Sequence, residues 1–315
     1  MQLDHVFAAL ASPQEPARTV VELATRIAKL SGANLVLFHA VYSSALSGRP
    51  FFDTTRLARS RGSLVAERTR QLEDLAREIR ADGIDASTHV VWEEPAYESI
   101  IRAAIRENAD LVFAGPHEGE RTNVPFSLRQ TDWQLLRYCP RPLWMVRVRE
   151  ARSGPIIAAL DPMHLYDKPA SLDAALLDAA SRLAKLLGTQ VHAVHCVPES
   201  ALPLGSSKGA HEALCEKARK RLQRSVKKFG VAADNVHVLS TLPERGIPEL
   251  ARELDAQLLV MGAISRRGLK RFVIGDTAER LIDAAPCDLL IIKPDKFKLV
   301  LGRTKRERVI LPKGA

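Results

Sequence analysis

Short runs of consecutive apolar residues alternate along this chain with longer stretches in which apolar positions recur every three or four residues. The first pattern suits strands buried on both faces and the second suits amphipathic helices. Their alternation predicts a parallel sheet covered by helices through right-handed crossovers. In the second half the predicted order is strand Ile156 to Leu160, helix Leu172 to Leu187, strand Val191 to Val197, helix Ala210 to Phe229 and strand Val236 to Ser240. Helix Ile247 to Leu254, strand Leu258 to Met261, helix Thr277 to Ala284 and strand Cys287 to Ile292 complete it.

The first half is a copy of the second. Ile27-Ala-Lys-Leu-Ser-Gly32 recurs as Leu183-Ala-Lys-Leu-Leu-Gly188, and the strands that follow match, with His39 falling on His195. Val6 to Leu10 matches Ile156 to Leu160, Asn108 to Gly115 matches Asp255 to Gly262, and Leu143 to Val146 matches Leu289 to Ile292. The offset drifts only slowly, which marks a tandem duplication with small loop insertions, one of them around Met163 to Ser171. The fold class is therefore α/β, with two tandem doubly wound five-stranded parallel-sheet domains, residues 1–150 and 151–297. Arg152-Ser-Gly-Pro155 is expected to link them, and residues 298–315 form a basic tail. Such a sheet binds ligands beyond the C-terminal ends of its strands, where the strand order reverses. The loops after the first and fourth strands of each copy are accordingly the places to look.

A chain of 315 residues, 46% hydrophobic and 26% charged, suits two soluble globular domains. Its apolar runs fall far short of the ~20 residues of a spanning helix, and the N-terminus lacks a basic start and a small-residue cleavage site, so a cytoplasmic location is expected. Cys139, Cys196, Cys215 and Cys287 are scattered without a CxxC, which predicts buried or idle thiols rather than disulfides or a zinc site. The net charge of +9 is concentrated at the end: Lys296, Lys298, Arg303, Lys305, Arg306, Arg308 and Lys313 face only Glu307, leaving +3 for everything before them. Outside its tail, the chain carries no compositional sign of nucleic-acid binding. His192 and His195 are expected on opposite faces of one strand, while His39 and His89 are expected to approach from adjacent strands, as buried, hydrogen-bonded residues.

The fourth strand of the second copy leads into Met261-Gly262, Ser265-Arg266-Arg267-Gly268, Lys270-Arg271 and then Gly275-Asp276-Thr277 at the start of a helix. A glycine leaving a strand lets backbone amides approach an anion, and a helix N-terminus favours negative charge. Asp161 directly follows the first strand, while Val197 and Met261 end the second and fourth, all three at the end of the sheet where ligands bind. An Asp161-Pro162 turn with core valine and methionine is the plainer alternative. Asp276 is also expected to cap the last helix. In the first copy Ala11 falls on Asp161 and Arg129 on Gly275, and Gly115 alone survives, so these groups are missing there.

The glycine loop resembles the nucleotide-binding loop of the universal stress protein family, in which Gly-x2-Gly-x9-Gly is followed by Ser or Thr. Gly262 and Gly275 take the first and third glycine positions, Ser265 stands at the second, and Asp276 replaces the hydroxyl residue, with Thr277 one place later. Thr131-Asp-Trp133 to Pro140, Leu242-Pro-Glu244 and Gly275 to Pro294 extend the likeness, over about residues 3 to 297, to the tandem E-type of bacteria. The resemblance implies a cytoplasmic stress-response binding module, with AMP or ATP and Mg²⁺ as candidate ligands held by Asp161, Val197, Met261, Gly262, Ser265, Gly275, Asp276 and Thr277. It also implies pairing of last-strand edges, which predicts an internal pseudo-dimer, allows a further homodimer, and places Trp133 and Trp144 at the inter-half contact or in the core. The sequence has no GxGxxG, full Walker loop, GxSxG or HExxH. Three alternatives remain open: an apolar small ligand in the same pocket, a slow Mg²⁺-dependent ATPase using Asp161 or Asp276, and nucleic-acid binding through the tail.

Overall fold

A computed structural model of the chain describes residues 2–12, 15–42, 46, 54–115, 130–147, 153–165, 170–203, 207–263, 275–294 and 297. Ser265, Arg129, the arginines and lysines at 266–271 and the tail from residue 298 lie outside the described residues. Two compact units divide at Arg141, one spanning residues 2–141 and the other 142–298.

In the N-terminal unit, strands β1 (His5–Leu10), β2 (Asn34–Val41), β3 (Ala86–Trp92) and β4 (Leu111–Ala114) lie in the order β3-β2-β1-β4, each parallel to its neighbours in that order. Helices α1 (Glu15–Ser31), α2 (Thr54–Ala81), α3 (Ala96–Arg106) and α4 (Gln130–Tyr138) connect or follow them. Phe7, Leu35, Leu37, Phe38, Leu111 and Phe113 are fully buried, as expected of strands covered on both faces. His39 and His89 do not meet. The register pairs Phe38 with His89 and His39 with Val90, so the two imidazoles project from opposite faces. His39 is buried, its Nδ1 donating to the Leu10 carbonyl at 2.8 Å, whereas His89 is half-exposed with Nε2 3.9 Å from Glu107.

The C-terminal unit contains β5 (Leu143–Met145), β6 (Ile156–Ala159), β7 (Val191–Cys196), β8 (Val236–Leu239), β9 (Leu258–Gly262) and β10 (Asp288–Ile292) in the order β5-β10-β9-β6-β7-β8. All neighbours are parallel except β5 against β10. Helices α5 (Ala170–Leu187), α6 (Lys208–Lys227), α7 (Pro243–Glu253) and α8 (Asp276–Ala284) connect them. Element positions follow the sequence expectation closely. The main exception is α7, which begins four residues early because Pro243 occupies the first helical position, where a missing N–H costs nothing.

The most visible sequence repeat has a local cause. Both copies of the Ala-Lys-Leu segment end a helix on a glycine in the left-handed region, Gly32 at φ 73° and Gly188 at φ 67°, a conformation that closes helix C-termini. The matched histidines are equally local in origin, since His195 Nδ1 donates to the Leu160 carbonyl at 3.0 Å just as His39 does to Leu10.

Strand β5, the last of the first copy, pairs antiparallel with β10, the last of the second, with Leu143, Trp144 and Met145 opposite Ile291, Leu290 and Leu289. Buried Asp288 holds this pairing: Oδ2 accepts from the Trp144 indole at 3.0 Å and Oδ1 from the Arg147 amide at 2.7 Å. The Arg147 guanidinium donates to the carbonyls of Ile282 and Asp283. Its burial pulls the Arg147 pKa downward, and burial likewise pushes Asp283 upward. Trp144 is thus a core residue of this unit, while Trp133 is half-buried on α4.

Two further contacts were not legible as such. Gly154, expected in a linker, is packed tightly: its carbonyl accepts from Thr189 Oγ1 at 3.0 Å and from Gln257 Nε2, and a Cβ placed there would lie 1.9 Å from the Asp255 carbonyl oxygen. On the face of β7 opposite His195, His192 Nδ1 meets His237 Nε2 at 2.9 Å with ring centroids 5.2 Å apart and planes within 11°. Nitrogens this close at that centroid spacing lie between the rings, so the imidazoles meet edge to edge through one N–H···N bond. Burial first, and then His237, holds His192 below the usual histidine range; burial holds His237 down as well, opposed by Glu253 and aided by Arg219.

Gly154→Ala is expected to destabilise the C-terminal unit by about 3 kcal/mol or more, because backbone rather than a flexible side chain must give way; chemical denaturation of the two proteins measures it. The histidine pair contributes stability that is complete above the unfolded pKa of ~6.5 and is lost as pH falls through the lower folded values. Acidification from pH 7.5 to 5 should therefore lower the denaturation midpoint, and less steeply in His237→Asn.

Candidate functional site

Strand β6 is the switch point of the C-terminal sheet. From it the chain proceeds to β7 and β8 on one side and later to β9 and β10 on the other, so the connections after β6 and β9 part company and leave a crevice at their C-terminal ends. Asp161 stands two residues beyond β6, Val197 follows β7, and Met261 and Gly262 end β9. The register places Ala159 beside Met261 and Ala159 beside Val194, so these three chain positions come to one end of three adjacent strands. Four of the predicted positions are thereby brought together.

Asp161 is 1% exposed. Its amide donates to Asp173 Oδ2 at 2.9 Å, its Oδ1 accepts from the Leu165 amide at 3.0 Å, and its carbonyl accepts from His164. The Asp161-Pro162 turn and a binding role are therefore not exclusive, because the turn fixes the carboxylate's orientation. His195 Nδ1 lies 3.9 Å from the same Oδ1. Val197 and Met261 are buried, and the Val197 carbonyl accepts from His211 Nε2 at 2.9 Å.

Gly262 has a packing reason for being glycine. A Cβ there would stand 2.5 Å from Leu172 Cδ2, so α5 closes onto the strand end where a side chain would otherwise sit. Gly275 and Thr277 lie at the start of α8, but the cap differs from expectation. Gly275, at φ −64° and ψ 145°, is the N-cap, and Asp276 takes the first helical position. The cap requires extended backbone, which Gly275 adopts, and a carboxylate one place later still meets the positive end of the helix dipole. Among the described residues no three His, Cys, Asp or Glu side chains converge as a metal site.

Three residues outside the predicted site set lie at this same end. His211 and Cys215, one turn apart on α6, and Ser240 after β8 cluster beside Val197, with Cys215 Sγ 3.5 Å from Ser240 Oγ. The available signal was the i, i+4 spacing of His and Cys on a predicted helix.

Comparison with known proteins agrees with this architecture. The sequence profile of the Universal stress protein family matches twice, at residues 5–147 and 156–293. Universal stress protein E of Escherichia coli is 29% identical over 293 residues, covering 90% of this chain and 91% of its own. A universal stress protein E homolog of Haemophilus influenzae is 31% identical over 222 residues, covering 68% and 71%. A crystal structure of a universal stress protein from Pseudomonas aeruginosa superposes with a TM-score of 0.72 at 24% identity, over 93% of this chain and 94% of that one, a likeness of fold. Matched by the family profile in both halves of the sequence, the chain belongs to the universal stress protein family.

Proposed function

We propose that the C-terminal unit is a ligand-binding regulatory module of the stress response, taking an adenine nucleotide at the crevice beside β6, and that the chain works in the cytoplasm without catalysing a reaction. The observation that carries it is the buried Asp161 carboxylate, oriented by Leu165 at the switch point of a doubly wound sheet. In this reading Asp161 receives a hydrogen bond from the base, Val197 and Met261 line the apolar side, and the loop from Gly262 through Ser265 to the Gly275–Thr277 helix start holds phosphate. Within the described residues no helix is long and apolar enough to cross a membrane. The division into residues 1–150 and 151–297 then separates a copy with Ala11 at the key position from one with Asp161.

Asp276 bears on which nucleotide is taken. A carboxylate at the first position of α8 competes with phosphate for the helix N-terminus, so a ligand with fewer phosphate charges, AMP before ATP, is favoured. A magnesium ion would enter with the phosphates of ATP rather than through a cluster of protein ligands.

Native mass spectrometry of the full chain with AMP, and with ATP and Mg²⁺, tests this. A mass increment for AMP that falls at least about tenfold in occupancy-derived affinity in Asp161→Ala is expected, from loss of a charge-assisted hydrogen bond worth ~1.5–3 kcal/mol. Asp276→Ser should raise ATP affinity several-fold relative to AMP. No increment with either nucleotide at millimolar concentration would overturn the proposal and favour an apolar ligand in the same crevice.

A further inference from the structure

The small net charge of the chain before its tail conceals a local segregation of charge. Between Lys217 and Lys228, at the C-terminal end of α6, stand seven cations and no carboxylate. Ala218, Leu222 and Val226 form the buried stripe of this helix. At about 100° per residue, Lys217, Lys220, Arg221, Arg224, Lys227 and Lys228 fall within an arc of roughly 120° on the opposite side, and all six are exposed. Among the described residues Glu216 is the carboxylate that pairs with this stripe, 3.4 Å from Lys220. Arg221 donates to the Pro162 carbonyl at 3.4 Å, and Lys228 Nζ lies 5.1 Å over the Phe229 ring.

Lys217 is three or four residues from Lys220 and Arg221, and Arg224 from Lys220, Lys227 and Lys228, so like charges face one another along the helix and disfavour it. The fold does not require this. Helix α2 occupies the same place in the first copy, between its second and third strands, and there Glu73, Asp74 and Glu78 are interspersed with Arg77 and Arg80. Arg77 pairs with Asp74 at 3.0 Å and Arg80 with Glu73 at 2.6 Å. A repulsion that the sister helix avoids is relieved in α6 when a polyanion covers the stripe.

We propose that the outer face of α6 is a docking surface for the phosphate backbone of double-stranded DNA. The stripe is about 16 Å long, and duplex DNA presents about ten negative charges over that length. Between Lys217 and Lys228 no aromatic side chain is available to stack an unpaired base and no exposed apolar one to anchor a protein, which sets single strands and acidic proteins aside. The apolar residues of this segment are committed to the sheet, so it has nothing to insert into a membrane. The major groove of B-form DNA admits a helix, whereas that of duplex RNA is too narrow. Lysine and arginine contacts to phosphate carry no base preference, so binding is independent of sequence. The surface serves whether or not a nucleotide occupies the crevice beside β6.

Binding of the full chain to a labelled DNA duplex of about 20 base pairs is followed by fluorescence anisotropy from ~50 to ~200 mM salt. Lys217→Gln, Lys220→Gln, Arg224→Gln and Lys227→Gln are combined in one variant, and the tail loses as many charges in a second through Lys305→Gln, Arg306→Gln, Arg308→Gln and Lys313→Gln. The α6 variant is expected to bind at least about tenfold more weakly at the lowest salt than the wild type or the tail variant. Its slope of log affinity against log salt should be shallower by about 3, at about 0.9 for each lost phosphate contact, and Arg224→Gln alone should change it by about 0.9. Exposed glutamine suits a helix, so equal denaturation midpoints verify that the variants are folded. Wild type that fails to bind DNA at the lowest salt overturns the proposal, as does an α6 variant that binds no more weakly than the tail variant. Duplex RNA, or vesicles of phosphatidylglycerol, bound as tightly as DNA and lost with the same α6 substitutions overturn DNA as the partner.

Discussion

A parallel strand covered on both faces has no place for an unpaired polar side chain until it ends. In the C-terminal unit this one constraint arranges everything else. Strands β6, β9 and β10 are apolar and fully buried apart from Asp288, which begins β10, and polar chemistry is pushed to the strand ends. Asp161, Gly262 and the His211–Cys215–Ser240 group all sit there. The reversal of strand order at β6 then turns one part of that end into a crevice instead of a closed row of crossovers.

Several of the polar groups that remain buried make bonds that fasten one segment to another. Asp288 offers both oxygens, one to an indole and one to a backbone amide, and so fastens an antiparallel strand to the edge of an otherwise parallel sheet. His195 and His39 tie the second strand of each copy to the end of the first through a ring nitrogen. Asp161 and Asp173 do the same for the loop after β6. A buried polar atom left without its partner costs ~1–3 kcal/mol, so each such residue fixes the conformation of a connection, and connections are where the candidate site lies. The copy with Ala11 retains the histidine tether but has no carboxylate to place at its switch point.

Gly262 illustrates how a single residue serves two readings. In the sequence it resembles the first glycine of a phosphate-binding loop; in the fold it makes room for Leu172 of α5. The two demands are compatible, because a helix that packs closely on the strand end also brings the following loop near the crevice. Similarly, Asp276 was expected as a cap and is instead one place inside the helix, where its charge still competes with an incoming anion.

The sequence by itself determined the fold class, the duplication, nearly all element positions and the end of the sheet where the candidate site lies. These follow from local periodicity and from residues with local consequences: apolar runs, helical spacing, and glycines such as Gly32 and Gly188 that close a helix through their own backbone angles. Only the tertiary structure decided which side chains meet. That His39 and His89 face apart while His192 and His237 share a hydrogen bond depends on strand register, where a shift of one residue exchanges faces. The placement of β5 with β10, the close packing of Gly154 against Asp255, and the gathering of His211, Cys215 and Ser240 likewise join residues far apart or on separate elements. Such pairings are set by how elements dock, and the pattern of one element does not record the surface it will meet.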